Sequence, residues 1–242
     1  MAFLTIAIPT MDRFSFLQES LPLYLDRPEV GEIVICDENG NDVEEIRRSS
    51  FGSHPKLQMF VNEKRLGIYH NKRKALSLAF FQWVAVLDSD NQFPDEWFEG
   101  IAEAVKSTNF GRVVIGSPCF RSVNLMNGNS WKPCEHFAGK SYDKASWNTL
   151  FTQLRWNHLL NDGNWVVPKG SHEFLPEVVP EEYKPAAEFC DALYSLRCFI
   201  GSGFTVRYPK DLMYNHLVHS ESSWLTRDAS STRAINTTNW FL

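Results

Sequence analysis

Short, continuous apolar runs alternate with helix-like stretches along the first half of the chain. Apolar runs without polar alternation are typical of strands covered on both faces, as in a mainly parallel sheet. We predict strands at 3–8, 32–36, 57–61, 83–87 and 112–116. The spacing of apolar residues predicts helices over 15–25, 71–81 and 95–106, the last preceded by Pro94. This repeated strand–helix order predicts an α/β fold with a mainly parallel central sheet flanked by helices.

The second half of the chain has a less regular pattern of apolar and polar residues. Residues 146–160 and 186–199 have helical spacing, whereas 163–168 and 204–209 resemble strands. The polar stretch from Ser220 to Thr238 has little apolar periodicity, so we predict a mobile tail that either closes over the site or frays. The tryptophans concentrated in this half are either sugar-stacking platforms or core residues: Trp131, Trp147, Trp156, Trp165, Trp224 and Trp240.

Composition narrows the class of protein. A chain of 242 residues is long enough for one domain with a substantial core, and we predict a single domain over 1–242. The net charge of -5 is unlike that of a phosphate-tracking surface, so no nucleic-acid partner is expected. The five cysteines lack CxxC spacing, which indicates reduced thiols. Because no long apolar stretch is present, we expect a soluble, cytoplasmic protein without a transmembrane segment.

Acidic side chains follow the fourth predicted strand. Ligands of open α/β sheets bind beyond the carboxyl ends of the strands. Asp88 and Asp90 flank Ser89 directly after residues 83–87, where strand alternation would point both carboxylates to the same side. Two carboxylates suit Mg²⁺ or Mn²⁺, which commonly bridges to substrate phosphates. The structural alternative is an Asp-rich turn that bonds to its own backbone.

Two more segments carry candidate ligand-binding side chains. Asp37 and Glu38 follow the second strand, and we prefer Asp37 for a nucleoside contact because it lies nearer the strand end. A turn at Asn39 and Gly40 would explain the same residues, and both readings can hold together. Positive charge gathers around a predicted helix start, which is either a diphosphate site or a solvated helix face: Lys64, Arg65, His70, Lys72, Arg73 and Lys74.

Several segments, taken in order, resemble family 2 glycosyltransferases with the GT-A fold. They are IPTMDR, CDENG, NEKRLGIYHNKRKAL and VAVLDSDNQFPDEWFE, followed by GNWVVPKG, AAEFCDALYSLRCFIGSGFTVRYP and LMYNHLVHS. The resemblance spans roughly residues 3–220, and the order and spacing of the segments carry it. It implies a nucleotide-sugar-binding half over 1–117 and an acceptor-binding and catalytic half over 118–219. The polar composition of the remaining residues makes 220–242 the predicted mobile tail or lid.

The resemblance, together with the basic segment, implies roles for individual residues. The nucleotide-sugar contacts would be Thr10, Asp37, Arg65, His70, Asn71, Asp88 and Ser89. A metal ion, Mn²⁺ or Mg²⁺, would be held by Asp90, Asp88 and His216, with His219 as the less favoured histidine. The catalytic base would be Asp191, or else Glu188, which lies three residues away on the same predicted helix.

The chain departs from the family pattern in two places. His70 stands where an arginine is usual before Asn71, and EFCD replaces the usual Glu-Asp pair. These departures concern the donor contact and the identity of the base.

The implied reaction moves a sugar from a nucleotide-sugar to a hydroxyl group with inversion at the anomeric carbon. A UDP-sugar is the expected donor, and a glycan, lipid-linked or small-molecule acceptor receives the sugar. A sugar-phosphate nucleotidyltransferase is one alternative, although IPTMDRFSF has no glycine after the first strand. A catalytically inactive protein that binds nucleotide or carbohydrate is the other.

Overall fold

The computed structural model describes residues 2–108, 110–117, 121–131, 137–151, 164–220, 238–240 and 242. The strands are β1 Leu4–Thr10, β2 Val30–Asp37, β3 Leu57–Val61, β4 Trp83–Val86, β5 Val113–Ile115, β6 Arg121–Asn124, β7 Ser130–Trp131, β8 Ser141–Tyr142, β9 Val166–Pro168, β10 Thr205–Arg207 and β11 Asn215–Val218. The α-helices are α1 Phe14–Leu25, α2 Asn41–Arg48, α3 Ile68–Ser77, α4 Asp95–Lys106, α5 Lys144–Phe151, α6 Lys184–Phe189 and α7 Asp191–Gly201.

The chain divides into two compact units, of which the first consists of Met1–Gln92 and Asn164–Glu173. Its strands lie in the order β3-β2-β1-β4-β9, and all neighbours are parallel except β9, which runs antiparallel to β4. Every residue of β1 is buried, as expected for a strand covered on both faces. The parallel strands end at the same edge, where Thr10 of β1 pairs with Asp37 of β2.

The second unit consists of Phe93–Gly163 and Phe174–Leu242. Within it, β10 pairs in parallel with β5 and antiparallel with β8, while β11, β6 and β7 form a separate sheet. Helix α4 buries Trp97, Phe98 and Ile101 on one face, and Phe93 stacks on Trp97 at 3.7 Å between ring centroids. This aromatic face is part of the apolar core of the second unit.

The predicted α/β class with a mainly parallel sheet is confirmed. Helix α4 has the predicted bounds, whereas α3 begins at Ile68, three residues before the prediction, because Gly67 with φ 83° allows the preceding turn. The prediction of one helix over 186–199 is wrong. The backbone breaks at Cys190, with φ -141° and ψ 37°, so α6 and α7 are separate helices.

The last residues of the chain are docked within the second unit, while the mobile tail predicted for the polar residues before them stays a prediction. Trp240 is 5% exposed, and Trp147 Nε1 donates a hydrogen bond of 2.9 Å to the Trp240 carbonyl. Asn148 exchanges two hydrogen bonds of 2.8 Å with the backbone of Leu242. Residues 221–237 of the predicted tail, and 152–160 of the predicted helix, lie outside the described residues.

Two other predictions concern burial and membrane crossing. Trp147, Trp165 and Trp240 are core residues, which settles their reading against sugar platforms, whereas Trp156 and Trp224 lie outside the described residues. Nowhere in the described chain is a helix long and apolar enough to cross a membrane. The single domain with a division at residue 117 stays a prediction, as does the cytoplasmic location.

Candidate active site

Asp37 ends β2 at the carboxyl edge of the first unit's sheet and is fully buried. Its Oδ1 accepts a hydrogen bond of 3.2 Å from the Asn39 N–H, and its Oδ2 accepts one of 3.0 Å from the Val43 N–H. The second bond satisfies a backbone donor in the first turn of α2, which otherwise has no partner within the helix. Asp37 therefore holds the turn and caps α2, and its contact with a nucleoside stays a prediction.

Thr10 ends β1 beside Asp37, and its hydroxyl donates a hydrogen bond to Asp42 Oδ2. The other Asp42 oxygen accepts a hydrogen bond of 2.8 Å from the Arg13 N–H. Burial raises the pKa of Asp42, and the hydrogen bond from Thr10 opposes that rise. Asp42 thus fixes the direction of the Thr10 hydroxyl, a contact that sequence reasoning missed, and the binding of a nucleoside by Thr10 stays a prediction.

Asp12 lies in the loop after β1, at the same edge of the sheet. Among the described residues it is the one non-glycine residue with a positive φ, 55°. Its carboxylate accepts a hydrogen bond of 2.7 Å from Asn41 Nδ2 and two, of 3.0 and 3.1 Å, from Asn39 Nδ2. The hydrogen bonds from Asn41 and Asn39 lower the pKa of Asp12. The first unit therefore presents an exposed carboxylate whose position is fixed.

Asn71, predicted to touch the nucleotide-sugar, is buried in a polar network at the start of α3. Its Nδ2 donates to the Cys36 carbonyl at 2.9 Å, and its Oδ1 accepts from Asn62 Nδ2 at 3.0 Å. Lys74 Nζ donates to Asn62 Oδ1 at 2.7 Å. Because these bonds engage the Asn71 amide on both sides, its evident role is to tie α3 to β2. Its contact with the donor stays a prediction.

Arg65 and His70 belong to the basic segment that leads into α3. Arg65 is exposed in a loop that Glu38 fixes, because Glu38 Oε2 accepts a hydrogen bond of 2.6 Å from the Leu66 N–H. His70 is half-buried in the first turn of α3, with its ring edge-on to Tyr69 at 5.0 Å between centroids. Both side chains lie where cations would add to the field of a helix N-terminus.

Residues 88–91, called here the acidic turn, follow β4. The strand ends at Val86, and the Asn91 N–H donates a hydrogen bond of 2.8 Å to the Asp88 carbonyl. The expected strand alternation of Asp88 and Asp90 is therefore wrong, since a β-turn carries both residues. Asn164, the residue at the start of the returning segment, accepts a hydrogen bond of 2.7 Å from the Asp88 N–H through its Oδ1. Ser89 is buried within this turn.

Lys72 of α3 reaches the acidic turn. Its Nζ lies 2.7 Å from Asp88 Oδ1, and its side chain is 5% exposed against 30% for Asp88. Sequence reasoning grouped Lys72 with its basic neighbours and missed this pairing. The sequence offered no signal for it, because Lys72 stands among other basic residues and only its burial in the structure sets it apart.

The carboxylate oxygens of the acidic turn suit a hard divalent cation, and they lie at the carboxyl edge of the sheet, where α/β proteins bind ligands. In the part of the chain that the structure describes, no three His, Cys, Asp or Glu side chains come together as a preformed metal site. Phosphate oxygens and water would suit the remaining positions of a cation at this turn, as they commonly do for Mg²⁺.

The second unit carries the other predicted site residues. Asp191 is the first residue of α7 and is half-buried, whereas Glu188 is exposed on α6, so the two do not share a helix face as predicted. His216 lies in β11 opposite Ser122 of β6, with both ring nitrogens buried, and His219 is buried just beyond that strand. The roles of these four residues stay predictions.

The sequence matches one family model over most of its length. That model is described as glycosyl transferase family 2, and it matches residues 5–162, which include the acidic turn. The chain belongs to glycosyl transferase family 2. The predicted family is thus confirmed, and membership of it favours a glycosyltransferase over a sugar-phosphate nucleotidyltransferase. No curated protein sequence matched this family 2 member.

Solved structures share the fold of this family 2 chain. S. aureus TarS 1-349 in complex with UDP-GlcNAc has a TM-score of 0.67 at 15% identity, covering 97% of this chain and 64% of that one. The mannosyltransferase PcManGT from Pyrobaculum calidifontis, in complex with GDP-Man and Mn²⁺, has a TM-score of 0.62 at 16% identity, covering 97% and 62%. The chain spans less than two thirds of each. Identities this low show the fold alone, and the predicted GT-A fold is confirmed.

Proposed function

We propose that this family 2 chain transfers a sugar from a nucleotide-sugar to an acceptor hydroxyl, with a divalent metal ion at the acidic turn. The observation that carries the proposal is the pair of carboxylates in a turn after β4, at the edge of a parallel sheet where α/β proteins bind ligands. Mn²⁺ or Mg²⁺ would neutralise charge that develops on the leaving nucleoside diphosphate.

The two carboxylates of the acidic turn have different surroundings, which suggests different roles. Asp88 Oδ1 is occupied by the Lys72 ammonium at 2.7 Å, so we assign Asp88 to orientation of the nucleotide. Asp90 is half-buried and is the preferred ligand of the metal ion, with His216 as a second candidate. Donor phosphate oxygens would complete the coordination, because the described residues offer no preformed cluster.

The carboxyl edge of the first unit's sheet offers groups that suit a nucleoside. Thr10, with its hydroxyl oriented by Asp42, and Asp37 lie side by side at the ends of β1 and β2. UDP-sugars are the first donors to examine, and GDP-sugars are the second. Structures with the same fold hold UDP-GlcNAc in TarS and GDP-Man with Mn²⁺ in PcManGT. The acceptor would be a hydroxyl of a glycan, a lipid-linked sugar or a small molecule.

Transfer needs a base that takes the proton of the acceptor hydroxyl as the new bond forms, and Asp191 is the preferred group. A base on the face opposite the leaving group gives a single displacement and inverts the anomeric carbon. General base catalysis of this kind contributes about 10²–10⁴-fold to the rate.

The proposal is tested by metal-dependent turnover of purified protein with UDP-, GDP- and dTDP-sugars. We expect donor hydrolysis that requires Mn²⁺ or Mg²⁺ and that falls at least about tenfold in Asp90→Asn, while the melting temperature is retained. Nucleotide binding without turnover of any donor would favour the inactive binding protein. Undiminished metal-dependent binding of the nucleoside diphosphate in Asp90→Asn would remove Asp90 from the metal site.

A further inference from the structure

The Lys72 ammonium is a buried positive charge set against the acidic turn. Its Nζ lies 2.7 Å from Asp88 Oδ1, and only 5% of the side chain is exposed. A buried ammonium is costly unless it is paired, so this contact belongs to the folded state and differs from a passing surface ion pair. The ammonium offsets part of the negative charge that Asp88 and Asp90 bring to the turn.

Both partners of the ion pair are held in place by their neighbours. Lys72 follows Asn71, whose amide is bonded to the Cys36 carbonyl at 2.9 Å and to Asn62 at 3.0 Å. Asp88 is fixed through its N–H, which donates to Asn164 Oδ1 at 2.7 Å. These bonds fix the backbone from which the two side chains extend. The burial of the Lys72 side chain and its pairing with Asp88 favour an ammonium that stays beside the turn, because an unpaired buried ammonium is costly.

We propose that Lys72 makes cation binding at the acidic turn depend on the nucleotide. The inference rests on the proposed function and names a positioning residue that acts through Asp88. A divalent cation that approaches the turn alone meets the field of a fixed ammonium, and like charges a few ångströms apart repel strongly inside a protein. It also finds no third His, Cys, Asp or Glu side chain grouped with the two carboxylates among the described residues. A diphosphate adds several negative oxygens, whose attraction for the cation outweighs the repulsion by the ammonium. Cation and nucleotide therefore bind together.

The Lys72 ammonium also affects cation binding to the protein in the absence of nucleotide. Removing the ammonium takes away this offset, which raises the affinity of the turn for a free cation. Keeping the ammonium leaves the turn a weak cation site until a diphosphate arrives.

Mn²⁺ binding to the full chain, measured from the free-ion electron paramagnetic resonance signal, tests this proposal without any turnover. The titration is run with Mn²⁺ alone and with UDP or GDP present, on wild type, Lys72→Met, Lys72→Arg and Lys72→Met/Asp88→Asn. Lys72→Gln replaces Lys72→Met if circular dichroism shows that the methionine variant does not fold. Lys106→Met removes the same charge from an exposed lysine in the last turn of α4 and serves as the matched control.

We expect Lys72→Met to bind Mn²⁺ alone about tenfold more tightly or better than wild type, and to gain less from UDP or GDP. Lys72→Arg and Lys106→Met should behave as wild type, and the added Asp88→Asn change should abolish the gain. Equal Mn²⁺ affinity of wild type and Lys72→Met, beside nucleotide-strengthened binding in wild type, overturns this inference alone. Wild type whose Mn²⁺ binding no nucleoside diphosphate strengthens overturns the proposed function as well.

Discussion

Replacement of Trp240 by alanine should show how strongly the last residues hold the second unit together. Trp240 is 5% exposed, and its carbonyl accepts the Trp147 Nε1–H at 2.9 Å. An aromatic side chain that buries about 200 Å² contributes about 5 kcal/mol at about 25 cal/mol/Å². Measured Trp→Ala costs in cores are about 3–5 kcal/mol. Since whole domains are stable by about 5–15 kcal/mol, Trp240→Ala should remove a large fraction of the free energy of unfolding.

Urea unfolding followed by far-ultraviolet circular dichroism measures this loss by linear extrapolation, independently of tryptophan fluorescence. Trp240→Phe keeps most of the apolar surface and should lose clearly less. A loss below about 1 kcal/mol in Trp240→Ala would show that Trp240 is not part of the core, and would refute the docking argument.

The docking of Trp240 changes how the tail is to be tested. Truncation after His219 would remove residues 220–242, and with them the contacts of Trp240, Asn239 and Leu242 to the second unit. A truncated chain that loses transfer would therefore not distinguish a missing lid from a weakened core. Replacement of 221–237 by a Gly/Ser segment of equal length keeps the docked end and isolates the polar stretch.

Three further predictions concern stability. Asn164→Leu removes the acceptor of the first N–H of the acidic turn and should cost about 1–3 kcal/mol in urea unfolding, whereas Asn164→Asp, which keeps an acceptor, should cost less. Burial raises the pKa of Cys36 to about 11 from 9.0, so the folded thiol keeps its proton longer than the unfolded one. The free energy of unfolding should therefore fall by up to about 2–3 kcal/mol between pH 9 and 11, and this fall should be shallower in Cys36→Ala. In Gly116→Ala the new Cβ would lie 2.3 Å from the buried Tyr208 ring, so a loss of about 1–3 kcal/mol is expected, while Gly111→Ala, with open space around it, should stay within about 0.5 kcal/mol of wild type.

Local patterns were enough to predict the part of the fold that places the site. Buried strands such as β1 and β4 have continuous apolar runs, and α4 has a strong apolar face with a clear start, so both signals are local. Because parallel strands end at one edge, the candidate positions Asp37 and Asp88 followed from the strands themselves. Helix α2 was missed because its buried apolar residues are only Val43 and Ile46 in eight residues.

Contacts between distant segments could not be predicted in the same way. Lys72 and Arg73 are adjacent basic residues, so the sequence does not distinguish them. Only the packing of α3 shows that Lys72 is buried and contacts Asp88. Asn71 resembled a ligand contact, yet its partners Cys36 and Asn62 lie on other elements. The break at Cys190 carries no proline or glycine, so the helical spacing of 186–199 gave no sign of it.

That break bears directly on the choice of base. Asp191 begins an eleven-residue helix that buries seven of its residues, so its backbone is firmly held, while Glu188 is exposed on the six-residue α6. A general base needs a fixed position within hydrogen-bond reach of the proton that it removes. We therefore expect Asp191→Asn to lower kcat about 10²–10⁴-fold with unchanged affinity for the nucleoside diphosphate, and Glu188→Gln to change kcat by less than about threefold. The reverse result, with transfer lost in Glu188→Gln and retained in Asp191→Asn, would assign the proton to Glu188 and show that the firmer backbone does not decide the base.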